Sequence, residues 1–135
     1  MSMFTFILVA KFPNIPLSPE ALLLNLGLVR AESDGRYLVE SANRKEDGWI
    51  CAYRDDDVIS DFDPEEIAKL DTGSAPIAFF IVEGGYGSKM YADRFLRNLP
   101  TGLGYIIDND HGCISSVEVF KKKLDNGEDW LQCDT

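Results

Sequence analysis

Two apolar runs constrain this chain more than any other feature: Met3-Phe4-Thr5-Phe6-Ile7-Leu8-Val9-Ala10 near the N-terminus, and Ile77-Ala78-Phe79-Phe80-Ile81-Val82 past the middle. Each is the length of a strand, and Phe, Ile and Val dominate both. The first run is far short of the ~20 residues that cross a bilayer. No Lys or Arg precedes it, and Phe12-Pro13-Asn14 follows where a cleavage site needs small residues, so a buried first strand is expected and a signal peptide is not. The second run reads as a central strand of the same sheet.

Punctuation between the runs sets the other elements. Ser18-Pro19-Glu20 places a cap, a first-turn proline and an acid at a helix start, giving a helix over 19–26 that stops at Gly27. Tyr37–Glu40 and Trp49–Tyr53 read as strands joined by a loop over 43–48, hence antiparallel. Asp63-Pro64-Glu65-Glu66 combines a cap, a proline and a capping-box glutamate, so a short helix runs through Leu70 and ends near Gly73. Ser88 caps a helix over 89–98 with Ala92, Phe95, Leu96 and Leu99 on one face. A last strand spans 103–107, and Ser115 or Ser116 caps a final helix with Val117, Phe120 and Leu124 inward. The order β-α-β-β-α-β-α-β-α predicts a single α+β domain over 1–135, with a mostly antiparallel sheet covered by helices, ferredoxin-like or related.

Composition supports a folded core. A chain of 135 residues buries roughly two thirds of its unfolded surface. Its 45% apolar fraction, with 8 Phe, 5 Tyr and 2 Trp, excludes a disordered acidic tail. Cys51, Cys113 and Cys133 form neither an even disulfide set nor a CxxC pattern, so reduced thiols and a cytoplasmic setting are expected.

The net charge of −10 disfavours nucleic-acid and membrane partners and favours a basic protein. It is concentrated. Asp55, Asp56, Asp57, Asp61, Asp63, Glu65, Glu66 and Asp71 face one base, Lys69, so this segment supplies −7 of the −10. That density exceeds what solubility asks of a small domain. Val58, Ile59 and Phe62 are interleaved with it, as anchors inside a charged rim would be.

Three other constellations carry less. Glu83-Gly84-Gly85-Tyr86-Gly87-Ser88-Lys89 sits between strand and helix, yet lacks the GxxxxGK[ST] spacing of a phosphate loop; a tight turn ending in a cap is the default. Asp108-Asn109-Asp110-His111-Gly112 opens like a calcium loop, but position six is Cys113 and position twelve is Val119. Asp108, Asp110 and His111 form the alternative, a transition-metal or acid–base trio, against the default of an Asx-type turn. A Cys113–His111 nucleophile has no readable orienting group.

The acidic helix start Asp63-Pro64-Glu65-Glu66, the strand and helix after it, and the Asp108–Gly112 turn resemble, from Asp55 onward, bacterial immunity proteins of polymorphic toxin systems, whether contact-dependent or secreted-effector. The resemblance implies a protein without catalytic residues or cofactor, which binds a cognate toxin domain, often a basic nuclease, and blocks its active site. Asp55, Asp56, Asp57, Asp61, Asp63, Glu65 and Glu66 are then expected to meet the toxin's Lys and Arg, with Phe62, and Trp49 or Tyr53, buried at the centre. The alternatives are a small metal-dependent enzyme built on Asp108, Asp110 and His111, and a non-catalytic accessory or assembly domain.

Overall fold

The computed structural model describes residues 3–41, 48–70, 75–85 and 89–132. The two apolar runs become the central strands β1 (Phe4–Lys11) and β5 (Ile77–Gly85), antiparallel and in register from Phe4 opposite Gly84 to Lys11 opposite Ile77. Around them lie β2 (Arg30–Ala31), β3 (Tyr37–Glu40), β4 (Trp49–Arg54), β6 (Ile106–Asp108) and β7 (Ile114–Ser116). All seven form one sheet in the order β2-β3-β4-β5-β1-β6-β7, every neighbouring pair antiparallel. The inner four, β6-β1-β5-β4, have the split βαβ order of a ferredoxin-like sheet. β3 and β2 extend one edge, and β7 the other.

Helices form where the caps place them. Ser18 Oγ accepts the amide of Ala21 at 3.4 Å to start α1 (Pro19–Leu23). At α2 (Pro64–Leu70) the capping box is reciprocal: Asp63 Oδ1 accepts from the Glu66 amide at 2.8 Å, and Glu66 Oε1 accepts from the Asp63 amide at 3.0 Å. α3 (Lys89–Asn98) buries Tyr91, Ala92, Phe95 and Leu96, and α4 (Val117–Asp125) buries Val117 and Phe120 beneath its Ser116 cap. The expected cap Ser88, the helix end near Gly73 and most of the 43–48 loop lie outside the described residues.

Alternation along each strand divides the apolar residues between two faces. Phe4, Phe6, Leu8, Ile50, Ala52, Phe80, Val82 and Ile107 point to one side, where α1, α3, α4 and Trp130 cover them. Ile7, Val9, Phe79 and Ile81 point to the other, where Phe62 and Leu70 cover them. Phe62 closes the end of a short 3-10 helix, Asp56–Asp61, that the sequence reading left as an acidic stretch.

Three further differences have local causes. α1 stops at Leu23 instead of 26, and Leu26 turns into the core before Gly27. The last strand of the reading, 103–107, begins only at Ile106, because Gly102 and Gly104 take positive φ of 81° and 77°. β7 separates the Asp108–Gly112 turn from the final helix, so that turn closes a β-hairpin.

Candidate functional site

The register brings the two acidic stretches together. β1 pairs with β6 so that Ile7 lies opposite Asp108, and this sets the start of the 108–112 turn beside the second face of the sheet. The 3-10 helix and α2 cross that face from the other side. Between them lies a cleft of about 270 Å³, floored by Thr5 and Ile7 of β1 and Ile81 of β5. Val58, Asp61, Phe62 and Glu66 form one wall, and Asp108 and Asp110 the other. Four carboxylates and no base line it.

Asp108 is the buried member of this set. It is 8% exposed, and its Oδ1 accepts from the Asp110 amide at 2.9 Å. Its other oxygen meets no donor among the described residues. Burial pushes this carboxyl above the usual carboxylate range. The Asp110 amide and Lys69 pull it back, while the charges of Asp110 and Glu66 push it further up. Glu66 belongs to the first acidic stretch, so the two clusters act on each other electrostatically.

The neighbouring Asn109 holds the turn. Fully buried, it accepts from the amides of His111 and Cys113 through Oδ1, at 2.9 and 3.1 Å, and donates from Nδ2 to the Trp130 carbonyl at 3.1 Å. With Asp110 at φ 62° and Gly112 at 94°, this is the Asx-type turn that the sequence favours. The alternative trio does not assemble. His111 is exposed and lines a separate hollow with Lys89 and Asp129, away from Asp108 and Asp110. No cluster of three or more possible ligands occurs among the described residues.

The acids of the 55–66 segment divide into two groups. Asp55 caps the 3-10 helix by accepting from the Asp57 amide at 3.1 Å. Asp56 takes a two-pronged ion pair from Arg54, at 2.7 Å to Nη2, and accepts from the Phe79 amide of β5 at 3.0 Å. The Arg54 hydrogen bond, with the Phe79 amide, holds the Asp56 carboxyl below its ordinary range against the opposing effect of burial. Asp63 and Glu66 form the capping box. These four serve the fold, and Glu66 also lines the cleft. Asp57, Asp61 and Glu65 are exposed and their carboxylates have no partner among the described residues.

Phe62, the expected anchor, is a buried residue. It is 9% exposed and meets Phe79 edge-on at 5.7 Å, so it is a core residue that also walls the cleft. Tyr53 lies under the guanidinium of Arg36, 4.7 Å from Cζ, and Trp49 lines a different hollow with Glu32, Asp34 and Arg36. Neither reaches the cleft.

The glycine-rich stretch and the cysteines also fall differently. Gly84 and Gly85 belong to β5, and a Cβ on Gly84 would come within 2.6 Å of the Trp49 carbonyl oxygen, so close strand approach explains this glycine. Glu83 pairs with Arg36 at 3.1 Å, and 86–88 lie outside the described residues. Cys51 is free and buried, its thiol pushed up to about 11 by burial. Cys113 is disulfide-bonded, which removes it as a nucleophile and overturns the expectation of three reduced thiols. Among the described residues no helix is long and apolar enough to cross a membrane.

The architecture is therefore that of an α+β domain whose sheet carries an acidic cleft on one face. No protein-family model, curated protein or solved structure matches the chain.

Proposed function

We propose that this chain is a non-catalytic inhibitor of the immunity type, which captures a basic toxin domain at the acidic face. One observation supports the reading above the others. Two acidic stretches separated by some forty residues converge on one cleft, and the carboxylates of Asp57, Asp61 and Glu65 in the first stretch are exposed and without a partner among the described residues. A concentrated negative patch accelerates encounter with a basic partner, and a desolvated centre slows release. His111 lines a different hollow from the one that Asp108 and Asp110 line, so the enzyme reading has no shared site to favour it.

The test is co-expression with the cytotoxic domain encoded beside this chain's gene. Wild-type protein restores growth, and the variant D57K/D61K/E65K restores it less at equal folded concentration, which melting curves check because Asp57 and Glu65 lie in first helical turns where each reversal costs about 0.3–1 kcal/mol. In purified form the association rate falls with added salt and falls further in that variant. Equal rescue and equal rates for both proteins reject the acidic docking face.

Sulfur chemistry bears on the compartment. A cytoplasmic placement rested on reduced thiols, and the bonded Cys113 favours an oxidising compartment such as a periplasm. Denatured, unreduced protein titrates with a thiol reagent as one free cysteine, and as three after reduction. Three before reduction returns the chain to the cytoplasm.

A further inference from the structure

We infer that the outer edge of β2 pairs with the same edge of a second copy of this chain, antiparallel and centred on Ala31, so that two sheets become one. The inference is independent of how the acidic cleft is read. Among the described residues β2 is the last strand on its side of the sheet, and Ala31 is exposed. The opposite edge, β7, lies against α2. An open edge presents unpaired backbone groups and is a template for another strand.

Backbone direction is the first argument. The Glu32 amide donates to the Arg36 carbonyl at 2.8 Å, so Glu32 turns its backbone polar groups toward β3. Arg30, two residues back and opposite Leu38, does the same. Alternation then points the amide and carbonyl of Ala31 away from the sheet. Two copies related by a two-fold axis can exchange these groups, Ala31 with Ala31.

Charge selects that register. Pairing Ala31 with Ala31 sets Arg30 of each copy opposite Glu32 of the other, as non-hydrogen-bonded pairs with Cα atoms ~4.5 Å apart. Sliding one copy by two residues brings Arg30 against Arg30 in one direction and Glu32 against Glu32 in the other, and like charges directly opposite are destabilising. Both side chains lie on one face, since Arg30 Nη2 reaches Glu32 and Nη1 reaches Glu40, each at 3.1 Å. The Arg30 side chain is still 59% exposed, and a guanidinium has donors to spare for a further carboxylate. Leu28, 93% exposed, shares a hollow of about 340 Å³ at this edge with Arg30, Leu38 and Glu40, which adds apolar surface beside the seam. β3 and β4 stand between β2 and β5, so the seam lies away from the acidic cleft.

The experiment is sedimentation equilibrium of the full chain at rising concentration, at neutral pH and physiological salt. Screening over ~8 Å then damps the long-range repulsion between two chains of net charge −10 but not contacts within the strand pair. Wild type passes reversibly from monomer to dimer. R30E and E32R, each alone, set like charges opposite one another and weaken the dimer about tenfold. R30E/E32R restores opposite charges at both pairs and recovers the wild-type constant. A31P deletes the outward amide and also weakens the dimer about tenfold, while its melting curve stays near that of wild type because that amide serves no bond to β3.

Wild type that stays monomeric at every concentration overturns the inference. So does a dimer that folded A31P and R30E leave unchanged, which puts the contact elsewhere. A double swap that associates no more tightly than the single ones overturns the register, and this comparison decides the matter even where A31P fails to fold.

Discussion

On one side of the sheet, Phe6 meets Trp130 at 5.1 Å and Phe95 at 5.4 Å, and Phe120 meets Trp130 at 5.9 Å, all under three helices. On the other, Phe62 against Phe79 is the corresponding contact, and a 3-10 turn with one seven-residue helix forms the cover. The same strands build both faces, so alternation along the chain decides which residues go where, and the difference lies in what is laid on top. Three helices close the first face to water. The thinner cover of the second leaves a cleft, and the side chains at its edge are carboxylates. Aromatic packing is heaviest on the closed face, and the acidic cleft lies on the other.

Truncation gives the largest test of that contrast. Trp130→Ala removes the central ring of the closed face and its 2.8 Å hydrogen bond to Asp93, and should cost about 4 kcal/mol, within the range for large aromatic deletions. Phe62→Ala should cost about 2–3 kcal/mol, because its site borders an open cleft whose walls can settle inward. Both are read from urea unfolding. Equal losses would mean that the second face is as fully packed as the first.

Asn109 joins the two regions, and its removal should rank next. Its side chain ties the cleft's turn to the backbone of Trp130, the residue at the centre of the closed face. Asn109→Ala leaves two part-buried amides and the Trp130 carbonyl without their partner and should cost about 2–3 kcal/mol. A loss under about 0.5 kcal/mol would show that the turn stands without this tie.

These two faces were unequally legible in the sequence. The closed face was readable because each of its elements carries its own signal: β-rich runs at 3–10 and 77–82, helical spacing of Ala92, Phe95 and Leu96, and serine or proline caps at 18–19 and 116. β2 and β7 were invisible, since two or three residues such as Arg30-Ala31 or Ile114–Ser116 contain no period. They exist because a neighbouring strand offers hydrogen bonds. The 3-10 helix was hidden by its own charge, although Asp55 followed by the Asp57 amide is a cap in miniature. The acids of the candidate site were legible one by one, but their meeting was not. It depends on Ile7 pairing with Asp108 across a hundred residues of chain, a register that no local pattern encodes.

The smallest effect separates a carboxylate that serves the fold from one that faces the cleft. Asp56, with Arg54 and the Phe79 amide as donors, has a depressed folded value, so its stabilisation is complete above the ordinary carboxylate range and fades as pH falls through that depressed value. Asp108 has a raised folded value, so the fold prefers it protonated; that preference is present below the ordinary range and is lost as pH rises through the raised value. At neutral pH, Asp56→Asn should therefore lower the melting temperature and Asp108→Asn should raise it slightly. Both differences should shrink on acidification. The Asp108 difference should vanish first, because its window lies at and above ordinary carboxylate values while that of Asp56 lies at and below them. Thermal melts of the two variants and wild type across that pH range decide the matter. Should Asp108→Asn be the more destabilising at neutral pH, the cleft carboxyl belongs to the framework, and the division between a structural face and a receptive one does not hold.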